Sequence, residues 1–203
     1  LFASTAVTLS LSRLAKHNAG HLRLLAGGIL ASGTVILARV LVVTGLINLQ
    51  LAEVLAPPLL AAALGMALVA AIYILSDHGK PKQDGGRFVL KNPFELLEVL
   101  KFGLLLTVIS AAVVLARRLW GDTGLLTLSA ISGLADVDAI TLSVSRLGGA
   151  ETVAVGAILL TVMVNTLAKN FYAAMAGGAR LGWLVLAGTA AAVAAGTAAW
   201  RLL

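Results

Sequence analysis

The 203-residue chain has no cysteine, 12% charged residues, 5% aromatics and four prolines. The missing cysteine excludes disulfides and thiolate metal sites, and it leaves the redox compartment unmarked. A soluble domain carries about 25% charged residues, so the low charge content excludes an ordinary water-soluble fold. A net charge of +6 invites a nucleic-acid reading. Aromatics that could stack on bases are sparse, however, and the basic residues sit at the ends of apolar runs, where they orient a membrane protein instead. No nucleic-acid partner is expected.

Apolar residues make up 60% of the chain. They fall into runs close to the ~20 residues that cross a hydrocarbon core. Seven membrane segments are expected, at 1–14, 22–47, 51–75, 93–117, 123–147, 152–176 and 181–202. All are taken as helices, because lipid offers no partner for unpaired backbone groups. The predicted fold class is therefore all-α, a polytopic transmembrane helix bundle forming one domain over 1–203 in a lipid bilayer. The chain opens on Leu1 without a basic leader or a cleavage site, so it is expected to be part of a longer polypeptide. If every segment spans, the basic loops 13–23 and 77–92 share one side, which the positive-inside rule makes cytoplasmic. Arg13, Lys16, Arg23, Lys80, Lys82, Arg87, Lys91, Arg146 and Arg201 then lie inside, and Arg117, Arg118 and Arg180 outside.

An internal repeat is visible. "TLSLSRL" at 8–14 returns as "TLSVSRL" at 141–147, and each copy is followed by a polar turn and an apolar helix with a cation near its end, Arg39 or Lys169. Segments 1–3 are expected to match segments 5–7, within halves of about 1–76 and 93–203 joined by the loop 77–92. With four segments per unit the repeat would be parallel, and transporters often place their site at such a repeat interface.

"SGLADVDAITLSVSRL" at 132–147 sets Asp136 and Asp138 in apolar surroundings. Each mid-membrane charge costs roughly 2.5–3.5 kcal/mol on insertion scales. In an unbroken helix residues i and i+2 point about 200° apart, so the two carboxylates converge only if the helix is interrupted. Gly133 and a capping Asp136 predict a break around 133–138, which would free carbonyls beside the carboxylates. Hard oxygen ligands of that kind suit Mg²⁺, Ca²⁺, Mn²⁺ or Na⁺, with Mg²⁺ or Mn²⁺ the expected divalent ion, and the alternative is a helix cap plus a buried pair with an intramembrane lysine. Thr161, Asn165 and Lys169 form a polar stripe at i, i+4, i+8. Asn165 would assist the metal or make an interhelical hydrogen bond, and Lys169 would bridge an aspartate or snorkel. Thr5, Thr8, Ser132 and Thr141 are further candidates for lining a pathway, against ordinary small-residue packing. In "KNPFELLEVLKFG" at 91–103, Asn92, Pro93 and Glu95 spell a helix start. Glu98 and Lys101 would either line a vestibule or pair at i, i+3. His17, His21 and His78 read as solvated loop residues.

At "NPFELLEVLKFG", "GDTGLLTLSAISGLADVDAITLS" and "VNTLAKN" the chain resembles the bacterial MgtC/SapB-associated integral-membrane family that carries the domain of unknown function DUF4010. The resemblance implies an inner-membrane protein. It also implies an upstream MgtC-like membrane domain, alternatively a homo-oligomer, as partner, and by association with magnesium homeostasis it points the cation toward Mg²⁺. The expected function is a transporter or channel-like permease for a divalent cation, with no enzyme activity. The alternative is a non-transporting regulator or assembly module binding another membrane protein through Gly/Ala-rich helices such as "LAGTAAAVAAGTAA" at 186–199. An intramembrane aspartyl protease would need acids on two facing helices, whereas both deep acids lie on one segment.

Overall fold

The computed structural model describes residues 3–77, 96–147 and 152–202, and every described element is helical. In chain order these are α1 (Ala3–His17), a 3₁₀ turn (Ala19–His21), α2 (Leu22–Ile47), α3 (Leu49–Leu75), α4 (Leu96–Ala135), α5 (Asp138–Ser145), α6 (Thr152–Gly177) and α7 (Ala179–Arg201). Four of them, α2, α3, α6 and α7, are long and apolar enough to cross a membrane. Apolar side chains are both buried and exposed: Leu30, Leu51, Ile140 and Ile158 fill the core, while Val35, Leu64 and Leu68 are more than 60% exposed. An outer surface of leucine and valine is what a lipid-facing bundle requires.

The long helices are joined by minimal turns. Asn48 alone separates α2 from α3, and its side chain accepts the Leu51 N–H at 3.0 Å to cap α3. Gly178, at φ +93, alone separates α6 from α7, a left-handed link that favours glycine. Gly121, at φ +58, divides α4 into the arms 96–120 and 122–135.

Direction along the bundle follows from register. Thr161 Oγ1 donates to the Ser129 carbonyl at 3.2 Å, and Asn165 Nδ2 donates to the Gly133 carbonyl at 2.9 Å. Four residues on in one helix thus match four residues on in the other, so the arm 122–135 runs parallel to α6. At the rise of ~1.5 Å per helical residue, Ala135 lies about 20 Å along α6 from Thr152. Residues 148–151 join Leu147 to Thr152, a reach of ~17 Å at most, so α5 has to turn back toward the end where α6 begins. The expected fifth segment is therefore not a single crossing: 122–147 is a re-entrant hairpin with its tip at Asp136–Val137.

This corrects the expected sidedness. Gly20, Arg23, Asp77 and Arg180 line one cleft, so the starts of α2 and α7 and the end of α3 share one end of the bundle, here the basic end. Arg180 joins Arg23 there. Arg146 and Arg201 join Arg117 and Arg118 at the opposite end, because α5, α7 and the arm 96–120 all finish on that side. α2 and α6 are antiparallel, which also replaces the expected parallel relation between segments 1–3 and 5–7 with an inverted one. Both helices have 26 residues, and Arg39 and Lys169 each occupy the eighteenth position. α1 packs on α6, as α5 packs on α2, while α3 packs on α7.

Candidate functional site

The hairpin tip is built by a local failure of helical hydrogen bonding. Asp136 N–H still donates to the Ser132 carbonyl at 2.8 Å, but the next regular bonds are missing, and the ladder resumes with Thr141 N–H on the Val137 carbonyl at 3.0 Å. The Gly133 carbonyl freed by the break is taken by the Asn165 side chain. Asp136 Oδ1 accepts the Asp138 N–H at 3.3 Å, satisfying one of the orphan donors at the start of α5. The formal cap position is Val137, one residue past the expected Asp136, but the carboxylate of Asp136 performs the capping.

Both acids are buried, Asp136 at 9% and Asp138 at 8% exposure. Asp138 Oδ2 pairs with Arg39 Nη2 at 2.7 Å. Arg39 is thus the salt-bridge partner in the position where Lys169 was considered. Lys169 is 5% exposed and does not snorkel. It lies within electrostatic reach of Asp136, Asp138 and Arg39, and among the described residues its ammonium forms no ion pair. Two carboxylates face two cations, so the cluster is formally neutral. Arg39 Nε is buried without an acceptor among the described residues.

The remaining candidates divide. Asn165 acts on a backbone carbonyl, the interhelical alternative. Thr161 is fully buried and bonds to the carbonyls of Ala157 and Ser129, joining α6 to the hairpin. Thr141 returns its hydroxyl to the Val137 carbonyl at 2.8 Å, next to the tip. Ser132 is buried one turn before the break, Thr8 is buried in α1, and Thr5 is half-buried. Glu98 and Lys101 lie on the first turns of α4, but their side chains fall outside the described residues, as do Asn92, Pro93, Glu95 and His78. Among the described residues no group of three or more His, Cys, Asp or Glu side chains is arranged to hold a metal ion. Sequence reasoning missed Arg39 as a site residue. Its signal was the shared placement with Lys169 in the two repeated helices. The mutual bonds between Asn170 and Thr189, at 3.0 and 3.1 Å, were also missed; they clamp α6 to α7.

The Gly/Ala-rich stretch 186–199 is only partly used inside the bundle: Gly188, Thr189 and Ala192 are buried, whereas Leu186, Ala187, Ala190, Val193, Ala194, Thr197 and Ala198 are exposed. A side chain at Gly65 would meet the Ala191 carbonyl at 3.1 Å, and one at Gly196 would meet that of Pro58 at 3.1 Å, so α3 and α7 approach nearly backbone to backbone.

No solved structure matches the chain. An uncharacterized protein of Aquifex aeolicus (strain VF5) is 35% identical over 184 residues, covering 88% of this chain and 79% of that protein. The model of the domain of unknown function DUF4010 matches residues 1–177. Neither match ties the chain to MgtC/SapB-type proteins. With most of its length covered by that model, and the Asp136–Asp138 hairpin inside the matched region, the chain belongs to the DUF4010 family.

Proposed function

We propose that this membrane protein is a cation transporter in which Asp136 and Asp138 carry the ion, while Arg39 and Lys169 balance their charge when the site is empty. The observation that carries the reading is the buried carboxylate pair at the tip of a re-entrant hairpin, far from either end of the bundle. Intramembrane acids of this kind are by default parts of an ion or proton pathway. Irregular backbone at membrane depth inside an inverted arrangement is the usual setting of a transport site.

A divalent ion suits the charge balance, because its two positive charges equal those of the two internal cations it would displace. Mg²⁺ or Mn²⁺ is the proposed cargo. With only two carboxylates at hand, the ion would keep several of its waters, as Mg²⁺ commonly does. The end bearing Arg13, Lys16, Arg23 and Arg180 is proposed to be cytoplasmic, in the inner membrane of a bacterium. The proposed partner is an MgtC-like membrane domain or a second copy of the chain. One face of the stretch that motivated the assembly-module reading packs on α3, while Ala187, Ala190, Ala194 and Ala198 on another face are exposed, so a membrane-protein partner docking on α7 is the second reading.

Uptake of Mg²⁺ and of Mn²⁺ into proteoliposomes, followed with an enclosed fluorescent indicator, tests the proposal. Wild type is expected to exceed protein-free vesicles and Asp138→Asn to match them. A wild type at the protein-free level for both ions overturns it.

A further inference from the structure

We propose that the cleft at the basic end binds the anionic headgroup of a membrane phospholipid. The cleft has a volume of about 760 Å³ and opens where α2 and α7 begin and α3 ends, the level at which helices leave the hydrocarbon. Arg23 and Arg180 both line it and are exposed. Neither has an ion-pair partner among the described residues.

The acid in the same cleft does not neutralise them. Asp77 Oδ2 accepts the Leu24 N–H at 3.2 Å and lies 3.5 Å from His21 Nδ1, with its side chain 8% exposed. Asp77 therefore caps the first turn of α2, and the arginines are left facing the opening. On the membrane side the wall is apolar. Tyr73 is tied by its hydroxyl to the Leu184 carbonyl at 3.3 Å, and Trp183 is 70% exposed.

Two guanidiniums without an ion-pair partner among the described residues, above an apolar wall with an interfacial tryptophan, match a phosphodiester with its acyl chains running down beside it. A soluble anion would use the arginines but leave the exposed indole and the apolar wall without purpose. The inference stands whether or not the hairpin transports an ion.

Trp183 supplies the readout. Trp120 and Trp200 lie at the opposite end of the bundle, so Trp120→Phe with Trp200→Phe leaves a single reporter in the cleft. The protein is reconstituted in phosphatidylcholine containing a fixed fraction of acyl-brominated phosphatidylglycerol or of acyl-brominated phosphatidylcholine. Each basic side chain near an anionic surface is worth roughly fivefold in occupancy. Quenching is thus expected to report at least about a fivefold preference for the anionic lipid. Arg23→Gln with Arg180→Gln should reduce the preference to about one, while Arg117→Gln with Arg118→Gln should keep it. In wild type, molar salt should also weaken the preference, which covers the case of a poorly folded double variant. Equal quenching by both lipids in wild type overturns the proposal, as does a preference that survives both the cleft double variant and salt. If free glycerol phosphate in the aqueous phase abolishes the preference, the site belongs to a soluble anion and the lipid proposal fails.

Discussion

Replacing Asp138 with asparagine should destabilise the protein more than removing its partner does. In the native bundle Asp138 sits 2.7 Å from Arg39, with side-chain exposures of 10% and 40%. Asp138→Asn removes the ion-pair partner of the guanidinium and leaves only Asp136 nearby, which makes no ion pair with it among the described residues, so most of the roughly 2.5–3.5 kcal/mol cost of an unpaired arginine near mid-membrane is expected to appear. Arg39 is partly exposed, so a loss of about 2.5 kcal/mol is expected, below the ~3–5 kcal/mol for breaking a fully buried pair. Arg39→Met strands the carboxylate instead, but Lys169 is within electrostatic reach of it. About 1–2 kcal/mol is expected there, since part of the charge stays compensated. The double variant leaves neither charge stranded and should lose only about 1–2 kcal/mol. The coupling energy from the cycle is then about 2.5 kcal/mol. Reversible unfolding in mixed micelles measures all four proteins under one condition. Additivity within about 0.5 kcal/mol, or an Arg39→Met loss larger than that of Asp138→Asn, would refute the reasoning.

Three further outcomes are expected. Asn165→Leu leaves the Gly133 carbonyl buried without its donor and should cost about 1–3 kcal/mol in the same unfolding assay. Gly133→Ala would bring a methyl within 2.7 Å of the Thr161 carbonyl, a backbone atom that cannot step aside, so the hairpin should separate from α6 and the melting temperature should fall by several degrees. Because the chain contains no cysteine, single-cysteine labelling gives topology without background. Arg23→Cys and Arg180→Cys should react from one side of sealed vesicles and Arg118→Cys and Arg201→Cys from the other. Reaction of Arg23→Cys and Arg180→Cys from opposite sides would restore the parallel arrangement.

The sequence showed where apolar runs begin and end, because that property is local. The expected 22–47 coincides with α2, and 51–75 and 152–176 differ from α3 and α6 by at most two residues. The break near Asp136 was legible for the same reason: a glycine, two acids and an adjacent cap dictate it without help from elsewhere. Direction was not legible. An apolar run of about 25 residues is long enough to cross a bilayer or to enter and leave by the same face, and hydropathy is identical in the two cases. Only the four-residue register of Thr161 and Asn165 against Ser129 and Gly133 separates them. The Arg39–Asp138 pair was hidden because it joins elements far apart in sequence, and an isolated arginine two-thirds of the way along α2 carries no mark of its partner.

The hairpin also dictates an order of assembly. Its two carboxylates are costly in lipid until Arg39 reaches Asp138, and α2 has already been made when the hairpin leaves the ribosome. The Gly133 carbonyl, however, waits for Asn165, which belongs to α6 and is synthesised later. The nascent chain thus carries an unfinished turn, with an exposed backbone acceptor, through the synthesis of a further membrane crossing. Insertion of 122–147 cannot be a stand-alone event on its own hydrophobicity; it is completed from behind, when α6 slides in alongside and closes the last open hydrogen bond.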